Sequence, residues 1–493
     1  MRPRPNTHRI RASLPDPEHA PNANLSGNES ADKTSQDISL PRLTWDAWRA
    51  TREGRDGIEA RQKARLNKLV SFVRARSRHF KALYKDIPEH VGDIRQLPPV
   101  TKREMMTHFD EWVTDPEVTK VGAEAFAADA SCVGKRFLGR YTIWTTSGST
   151  GTPALLVQDE HALTVMTALV WARAVPAWIS SAEVAGFLSR GVRGALVFAT
   201  GGHFMALTMA ERARISSSWA KTLGRVIPVT LPTGELVRQL NELDPTLVAS
   251  YASGLVLLAE EQAAGRLAID PVLLLSTGES LTAERHRKVD AAFAGPVRET
   301  YGASEIQIAA FECRDGRLHV NADWVILEPV DGNYEPVGPG EPSRTVLATS
   351  LSNHVQPIIR YDLGDRLTVF ADPCDCGSPL PSIRVEGRSD EILTFRSSSG
   401  DDVHLLPVAL ATSIADSPGI QRSQLIAKGT SRLVVRLQTE PGADSEGAWE
   451  TVRKSLRDLL DSHGLRNVTV ERSSQPPAAG ASGKFRQIWA EPA

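Results

Sequence analysis

Thr145-Thr146-Ser147-Gly148-Ser149-Thr150-Gly151-Thr152-Pro153, followed by the apolar run 154–157, is the stretch that decides the fold. Every residue in it except the final proline is glycine or carries a hydroxyl group. Glycine lets the backbone turn sharply and approach a ligand, so successive N–H groups can converge on an anion. The Lys-Ser/Thr pair that would close a Walker loop is absent. The stretch alone fits either a phosphate-binding loop or a polar surface hairpin.

Length and composition indicate a soluble protein with more than one domain. A chain of 493 residues exceeds one compact core, and 41% hydrophobic with 24% charged residues is an ordinary globular composition. Fifty-seven basic against 59 acidic residues leave a net charge of −2, so we expect no nucleic-acid partner. No apolar run reaches the roughly 20 residues of a membrane helix, and no apolar segment follows Arg2 and Arg4 as in a signal peptide. We expect a cytoplasmic enzyme without membrane contact; a homodimer stays open.

Apolar periodicity indicates where the regular elements lie. Residues 58–85 fit an amphipathic helix, and Thr101 fits the cap of the next helix. Apolar runs predict strands at 194–199, 247–250 and 272–275, while 256–264 and 283–294 fit helices. This alternation predicts a layered α/β fold with a largely parallel sheet and with ligands outside the strand ends.

Composition also divides the chain into three parts. We predict a disordered extension at 1–40, a large domain at 41–386 and a small α+β domain at 387–493. The small domain should contain strands near 392–395, 424–428 and 433–439 and a helix at 448–462. Its segment 473–483, rich in Pro, Gly, Ala and Ser, should be a flexible connection.

Further polar segments follow the first stretch in a recognisable order. They are Ser276-Thr277-Gly278-Glu279-Ser280, Glu299-Thr300-Tyr301-Gly302-Ala303-Ser304-Glu305, Arg360-Tyr361-Asp362-Leu363-Gly364-Asp365, Gly387-Arg388-Ser389-Asp390-Glu391 and Ala481-Ser482-Gly483-Lys484-Phe485-Arg486. Each alone could be an ordinary turn, strand end or solvated tail. In this order they resemble the motifs of the adenylate-forming superfamily, which includes acyl-CoA ligases and peptide-synthetase adenylation domains. The resemblance implies a large adenylation (AMP-binding) domain joined by a hinge to a small mobile one.

The resemblance also implies roles for individual residues. The phosphate loop would comprise Thr146, Ser147, Gly148, Ser149, Thr150 and Gly151, with Thr146 among the catalytic residues. Tyr301 would stack on adenine beside Gly302, Gly278 and Glu279, Ser304 would meet the α-phosphate, and Glu305 would hold Mg²⁺. Asp365 would accept hydrogen bonds from the ribose hydroxyls, and Arg388 would contact the nucleotide. Asp390 would be the hinge, and Lys484 would bridge the carboxylate and the α-phosphate in the transition state.

One branch of the superfamily fits best. From about residue 60 to the end, the chain resembles the phenylacetate–CoA ligase family. Cys-x-Cys-Gly recurs in metal-bearing members of that family, and here Cys374 and Cys376 form it. Together with Cys313 and His319 they provide three thiolates and one imidazole, a set suited to structural zinc. The alternative is a few buried cysteines and a surface histidine.

The resulting prediction is an ATP- and Mg²⁺-dependent ligase that activates an aryl or arylacetic acid as an acyl-adenylate. Coenzyme A would then take the acyl group. Tyr251, His203, Phe204 and Ala303 are candidates for the acid pocket by position. Many relatives carry a lysine beside the phosphate-loop proline, where this chain has Thr152 and Ala154.

Two alternative functions remain open from the sequence. Residues 396–402 are longer and more acidic than the family's short turn, which motivates a coenzyme A-independent synthetase that forms an amide or an ester. The other alternative is a non-catalytic nucleotide-binding regulator, against which the retained Glu305, Asp365 and Lys484 argue.

Overall fold

The computed structural model describes residues 39–146, 154–217, 224–386, 393–405, 407–415, 417–478 and 487–491. The helices before the first strand are α1 Leu40–Arg76, α2 Arg78–Leu83, α3 Lys102–Thr107, α4 Phe109–Trp112 and α5 Lys120–Ala128. Pro41 lies in the first turn of α1, where its missing N–H breaks no helical hydrogen bond, and Gly54 interrupts α1 with a φ of 81°. The side chains of Ser77 and Thr101 accept hydrogen bonds from backbone N–H groups and so begin α2 and α3.

A β-hairpin holds both flanks of the Thr145–Pro153 stretch. Its strands are β1 Thr142–Thr145 and β2 Leu155–Gln158, which pair in antiparallel fashion with Thr145 opposite Leu155. The helices that follow are α6 Glu160–Leu169, α7 Val175–Trp178 and α8 Ser181–Arg190. The hairpin therefore fixes the positions at which residues 147–153 leave and rejoin the fold.

The sheets of the large unit are built from twelve further strands among the described residues. These are β3 Gly194–Phe198, β4 Gly224–Pro228, β5 Leu247–Ser250, β6 Leu273–Thr277, β7 Val297–Ala303, β8 Gln307–Glu312, β9 Leu318–Val320, β10 Val325–Val330, β11 Thr345–Ser350, β12 Tyr361–Asp362, β13 Leu367–Val369 and β14 Ser382–Val385. Nine of the described strands form one sheet in the order β13-β14-β9-β8-β7-β6-β5-β3-β4. β4, β3, β5, β6 and β7 are parallel to one another, so their carboxyl ends share one edge.

The parallel strands pack against helices that alternate with them along the chain, and a smaller sheet follows them in the sequence. The helices between the parallel strands are α9 Met205–Ser216, α10 Thr233–Leu243, α11 Ala252–Ala263 and α12 Ala283–Ala292. Apolar side chains of α10, α11 and α12 form one hydrophobic core with β3, β5 and β6. β10, β11 and β12 form an antiparallel sheet, and Val100 bridges to Tyr361 beside it.

The carboxy-terminal part forms a further α+β unit with its own hydrophobic core. Its elements are β15 Leu393–Arg396, β16 Asp402–Leu405, α13 Pro407–Ala415, β17 Ile420–Lys428, β18 Arg432–Thr439, α14 Ser445–Ser462, β19 Thr469–Arg472 and β20 Ile488–Glu491. Four of its described strands form a sheet in the order β19-β18-β17-β20. The core draws its buried residues from Leu393 to Ile488 alone. The predicted α/β class, with a small α+β unit after the large one, is confirmed.

Several element boundaries differ from the sequence predictions. The helix predicted at 58–85 is α1 plus α2, broken at Ser77, and it begins eighteen residues earlier. The helix predicted from residue 256 begins at Ala252, because a glutamate carboxylate accepts the N–H of Ser253. The helix predicted from residue 448 begins at Ser445, where Asp444 provides the cap. The helix predicted at 283–294 ends at Ala292, and the strands shift by a few residues at their ends.

Within the described ranges, no single helix is both long and apolar enough to cross a membrane. One pair of consecutive helical segments, Glu160–Trp178 and Ser181–Arg190, has the length and apolar composition of a membrane span only when the two are joined, and the chain bends by 101° between them.

Candidate active site

The predicted site residues follow the carboxyl ends of the parallel strands. His203 and Phe204 lie in the loop after β3, and Tyr251 directly follows β5. Gly278 and Glu279 follow β6, while β7 contributes the segment that leads to Ser304 and Glu305. In open α/β sheets this edge is where ligands bind.

The hairpin that flanks the phosphate-loop candidate is tied to this edge by two hydrogen bonds. The Trp144 indole N–H donates to the Ser304 carbonyl oxygen at 2.9 Å. The Thr145 N–H donates to the His203 carbonyl oxygen at 2.8 Å. The Thr146 hydroxyl accepts the N–H of Ala154 at 2.8 Å across the hairpin. Thr146 therefore lies beside the strand ends of β3 and β7.

Two tyrosine–carboxylate hydrogen bonds join the segment 301–305 to the segment 361–365. The Tyr301 hydroxyl donates to Asp365 Oδ2 at 3.1 Å, across 64 residues of chain. The Tyr361 hydroxyl donates to Glu305 Oε1 at 3.4 Å, across 56 residues. Both tyrosines and Glu305 are buried. The structure thus brings the ribose candidate Asp365 next to the adenine and magnesium candidates, from which it is distant in sequence.

Asp362 shapes the turn that presents Asp365. Its Oδ1 accepts the Gly364 N–H at 2.9 Å, and its Oδ2 accepts the Tyr334 hydroxyl at 3.0 Å. Gly364 has a φ of 72°, a conformation that glycine adopts without strain. Sequence reasoning did not single out Asp362 or Tyr361 because their partners Tyr334 and Glu305 lie far away in the sequence. Their position inside the Arg360–Asp365 segment was the one available indication.

Gly302 lies where β7 meets β8 at an irregular register. The pairing shifts between Tyr301 and Gly302, and Gln307, which pairs with Ala303, has a φ of 58°. A Cβ atom on Gly302 would lie 1.9 Å from the Gln307 carbonyl oxygen. Only glycine therefore allows the two strands this close an approach next to Ser304 and Glu305.

Gly278 and Glu279 hold the adjacent turn after β6. Gly278 has a φ of 80°, and a Cβ atom there would meet the Tyr251 ring at 3.2 Å. Glu279 Oε2 accepts the Ser253 N–H at 2.8 Å at the start of α11, which suits a carboxylate near a helix N-terminus. Gly278 therefore lies against the Tyr251 ring, while Glu279 holds the start of α11.

The acid-pocket candidates surround the loop after β3. Burial raises the pKa of Tyr251, whose ring meets Phe198 edge-on with the ring centres 5.1 Å apart. His203 is buried; its Nε2 lies 3.1 Å from the Asp129 carbonyl oxygen, so that nitrogen donates. His203 Nδ1 has no hydrogen-bond partner among the described residues. Phe204 and Ala303 each pack against a hydrophobic core.

Cys313, His319, Cys374 and Cys376 form a compact cluster in which all ligand atoms lie within 4.8 Å of one another. The Cys313 and Cys374 sulfur atoms are 3.6 Å apart, and Cys376 Sγ lies 3.2 Å from His319 Nε2. Tetrahedral zinc, with bonds of about 2.3 Å to sulfur and about 2.0 Å to nitrogen, needs ligand separations of roughly 3.5–3.8 Å. The residues therefore fit a metal of this type.

The orientation and protonation of His319 also suit a ligand. Its Nδ1 lies 3.0 Å from the Leu380 carbonyl oxygen, which can only accept, so Nε2 keeps its lone pair and faces Cys376. Burial lowers the pKa of His319 and so favours neutral imidazole. Burial raises the pKa of Cys376 to about 12 and also raises that of Cys313. The sequence alternative of a surface histidine is wrong, because His319 is fully buried.

Two charge clusters that are shielded from solvent to different degrees were missed by sequence reasoning. Burial raises the pKa of Glu299 to about 7, with a smaller contribution from nearby Glu312. The buried Asp323 accepts hydrogen bonds from the Arg173 guanidinium at 2.7 and 3.0 Å and from Arg65 at 3.1 Å. Burial of a charge becomes evident only when the fold is known.

Part of the predicted site lies outside the described residues. This applies to Ser147, Gly148, Ser149, Thr150, Gly151, Arg388, Asp390 and Lys484, and to most of the extension predicted at 1–40. Their assigned roles stay predictions.

No family model and no curated protein sequence matches the chain. Solved structures that resemble it include 2-hydroxyisobutyryl-CoA ligase in complex with 2-HIB-AMP and CoA in the thioesterification state. That structure is 17% identical, covers 88% of this chain and 90% of its own, and has a TM-score of 0.53. The same ligase in its postadenylation state with R3-HIB-AMP is 17% identical, covers 95% of both chains and has a TM-score of 0.50. The chain therefore shares the fold of these solved 2-hydroxyisobutyryl-CoA ligase structures.

Proposed function

We propose that this chain uses ATP to activate a carboxylic acid as an acyl-adenylate and then transfers the acyl group to the thiol of coenzyme A. The main support for the proposal is that segments 301–305 and 361–365 are hydrogen-bonded to each other and that the hairpin end at Thr146 lies beside the first of them. Segments of this composition, at the carboxyl edge of a parallel sheet, suit a nucleotide. Membership of the phenylacetate–CoA ligase-like branch, and hence an aryl or arylacetic acid, is part of the proposal.

The reaction would proceed in two balanced steps. A carboxylate oxygen of the acid attacks the α-phosphorus of ATP, and the bond to pyrophosphate breaks. The thiolate of coenzyme A then attacks the acyl carbon, and AMP leaves. Both steps need charge stabilisation at the α-phosphate, because negative charge gathers there in the first transition state.

The chain's own residues would bind and orient the nucleotide. Tyr301 would stack on adenine, Ser304 would donate to the α-phosphate, and Asp365 would accept from the ribose hydroxyls. Thr146 and the residues 147–151 would surround the leaving phosphates, and Lys484 would bridge the acid and the α-phosphate. Glu305 would bind Mg²⁺, which would neutralise charge on the phosphate oxygens.

The acid would bind beside the loop after β3. Tyr251, Phe204 and Ala303 would provide apolar walls, since Tyr251 and Phe204 flank the carboxyl end of β3. His203 would face a polar ring substituent of the acid, and its unpartnered Nδ1 supports this assignment.

Coenzyme A is the proposed acceptor because one of the two carboxylates in the acidic turn that argues against it is paired with a cation, and the other is hydrogen-bonded. Asp402 pairs with Arg396 at 2.9 Å, and the Ser399 hydroxyl donates to Asp401 at 2.7 Å. The solved 2-hydroxyisobutyryl-CoA ligase carries CoA together with its acyl-adenylate. An amide- or ester-forming synthetase would be identified by the product rather than by the fold.

The large unit would end at residue 386, and residues 387–493 would rotate about Asp390 between the two steps. The separate core of the carboxy-terminal unit supports such a motion, because few core side chains would need to repack. We further propose a cytoplasmic enzyme that acts on a small-molecule acid without nucleic acid or membrane, with a homodimer as the assembly to test.

Structural zinc at Cys313, His319, Cys374 and Cys376 completes the proposal. With four protein ligands the metal would have no open position, so it would hold the loop around Cys374 against β8 and β9 and take no part in the reaction.

Acid-dependent exchange of pyrophosphate into ATP tests the proposed function. Benzoic, hydroxybenzoic, aminobenzoic and arylacetic acids form the first panel, with Asp365→Ala as the matched variant. We expect exchange with at least one acid and a loss of at least tenfold in the variant, which lacks the ribose acceptor. Coenzyme A or amines, added with the active acid, would then identify the acceptor by product mass. No exchange with any acid would favour a non-catalytic nucleotide-binding protein.

A further inference from the structure

We infer that the hydroxyl groups of Tyr301 and Tyr361 are positioning groups for the two carboxylates that bind the nucleotide and its metal. Tyr361 would set the metal dependence of nucleotide binding through Glu305, and Tyr301 would set ribose recognition through Asp365. The inference rests on the proposed function, because it concerns the same site.

The hydrogen bonds cross between two segments of the site. Tyr301 belongs to the segment that contains Glu305 but bonds to Asp365 at 3.1 Å. Tyr361 belongs to the segment that contains Asp365 but bonds to Glu305 at 3.4 Å. Each segment therefore orients the carboxylate of the other.

The chemistry of the groups fixes the direction of both bonds. An ionised carboxylate can only accept, so each phenol donates its proton. Tyr301 is 7% exposed, Tyr361 is 1% exposed and Glu305 is 9% exposed. A buried tyrosine hydroxyl needs a polar partner, and a bond to a charged acceptor is stronger than one to a neutral acceptor.

The two rings are mounted on β-strands that belong to different sheets. Tyr301 lies in β7 and pairs with Ala310 across the large sheet. Tyr361 lies in β12, pairs with Ala348 and is flanked by the bridge to Val100. Because both rings are held by sheet pairing, their hydroxyls can hold a carboxylate in one orientation before the ligand arrives. Less ordering is then required on binding.

The two tyrosines should affect different features of the ligand. Without the Tyr361 hydroxyl, Glu305 loses a hydrogen bond that orients it toward the metal position, so binding that depends on Mg²⁺ weakens. Without the Tyr301 hydroxyl, Asp365 loses its orientation toward the ribose, so the discrimination between ATP and a deoxy analogue weakens. A role in folding alone would not separate these two effects.

Calorimetric titration of the full chain with ATP, 2′-deoxy-ATP and 3′-deoxy-ATP, each with Mg²⁺ and with EDTA, tests the inference in Tyr361→Phe and Tyr301→Phe. Removing one hydrogen bond to a charged group changes binding by about tenfold or more. We expect Tyr361→Phe to weaken MgATP binding by about tenfold and to change ATP binding in EDTA by less than about twofold. We expect Tyr301→Phe to weaken ATP binding by about tenfold, both with Mg²⁺ and with EDTA. The affinity of this variant for at least one of the deoxy analogues should stay within about twofold of the parent chain's affinity for the same analogue.

Tyr84→Phe is the matched control, because it removes a buried tyrosine hydroxyl that has no hydrogen-bond partner among the described residues. It should leave every titration unchanged. The inference would be overturned if both site variants bound every ligand as the parent chain does, or if they lost the same factor of affinity under all conditions. In that case, pyrophosphate exchange by the parent chain would still support the proposed function. A parent chain that binds no ATP would overturn both.

Discussion

Replacing Gly302 with alanine would place a methyl group 1.9 Å from the Gln307 carbonyl oxygen and 2.9 Å from its carbonyl carbon. Ordinary van der Waals contact begins at 3.4 Å, so β7 and β8 would have to separate by about 1.5 Å. Backbone atoms, unlike a flexible side chain, cannot rotate out of the way. Overpacking of this kind costs about 2–3 kcal/mol of folding free energy.

The displacement should reach the site as well. Tyr301 precedes Gly302, and Ser304 and Glu305 follow it closely, so their side chains would move with the strand. A misplacement of about 1 Å can lower a reaction rate by about a hundredfold. We therefore expect Gly302→Ala to lose at least that factor in acid-dependent pyrophosphate exchange.

Gly332→Ala is the matched control for this experiment. A Cβ atom on Gly332 meets no atom within 4 Å, so the substitution adds a methyl group without a clash. Thermal unfolding and pyrophosphate exchange are measured for both variants and the parent chain. The reasoning would be refuted if Gly302→Ala matched Gly332→Ala in both stability and exchange.

Three further predictions concern the buried charges and the cysteine cluster. Purified protein should contain about one zinc per chain by elemental analysis, and Cys374→Ser should lower that content; a folded, metal-free preparation would dismiss the site. Glu299→Gln should stabilise the fold by about 1–3 kcal/mol at pH 8 and little at pH 4. In the folded parent chain the pKa of this carboxyl is raised to about 7, so the parent chain loses stability as the pH rises through that value and the carboxyl becomes charged. A gain in stability that does not depend on pH would contradict this. Asp323→Asn should lower the free energy of unfolding by about 3–5 kcal/mol, because it leaves the buried Arg173 guanidinium without its carboxylate. The control Asp46→Asn, at a partly exposed site, should lower it by about 1 kcal/mol or less. Equal losses of unfolding free energy in the two variants would contradict a stabilising role for the buried pair.

The sequence predicts those parts of the fold in which local pattern and tertiary environment agree. The apolar run 194–199 corresponds to buried β3, and Thr101 caps α3 as its position indicates. Helix starts are less predictable when the partner is remote. α11 begins at Ala252 because the Glu279 carboxylate accepts the Ser253 N–H from a turn that is distant in the sequence.

The candidate site likewise combines residues that could be predicted from the sequence with residues that could not. Tyr301, Glu305 and Asp365 could be selected from the sequence because their segments resemble known motifs. The role of Tyr361 could not, since the contact that defines it crosses 56 residues and joins β12 to the turn between β7 and β8. The need for glycine at residue 302 likewise depends on the carbonyl group of Gln307, on the neighbouring strand.

The most direct test of the account is a product analysis of the full chain incubated with MgATP, the acid panel and coenzyme A. The account predicts AMP and pyrophosphate in equal amounts, an acyl-adenylate detected by mass when coenzyme A is left out, and an acyl thioester when it is present. ADP and inorganic phosphate as products, or no acid-dependent consumption of ATP, would contradict it.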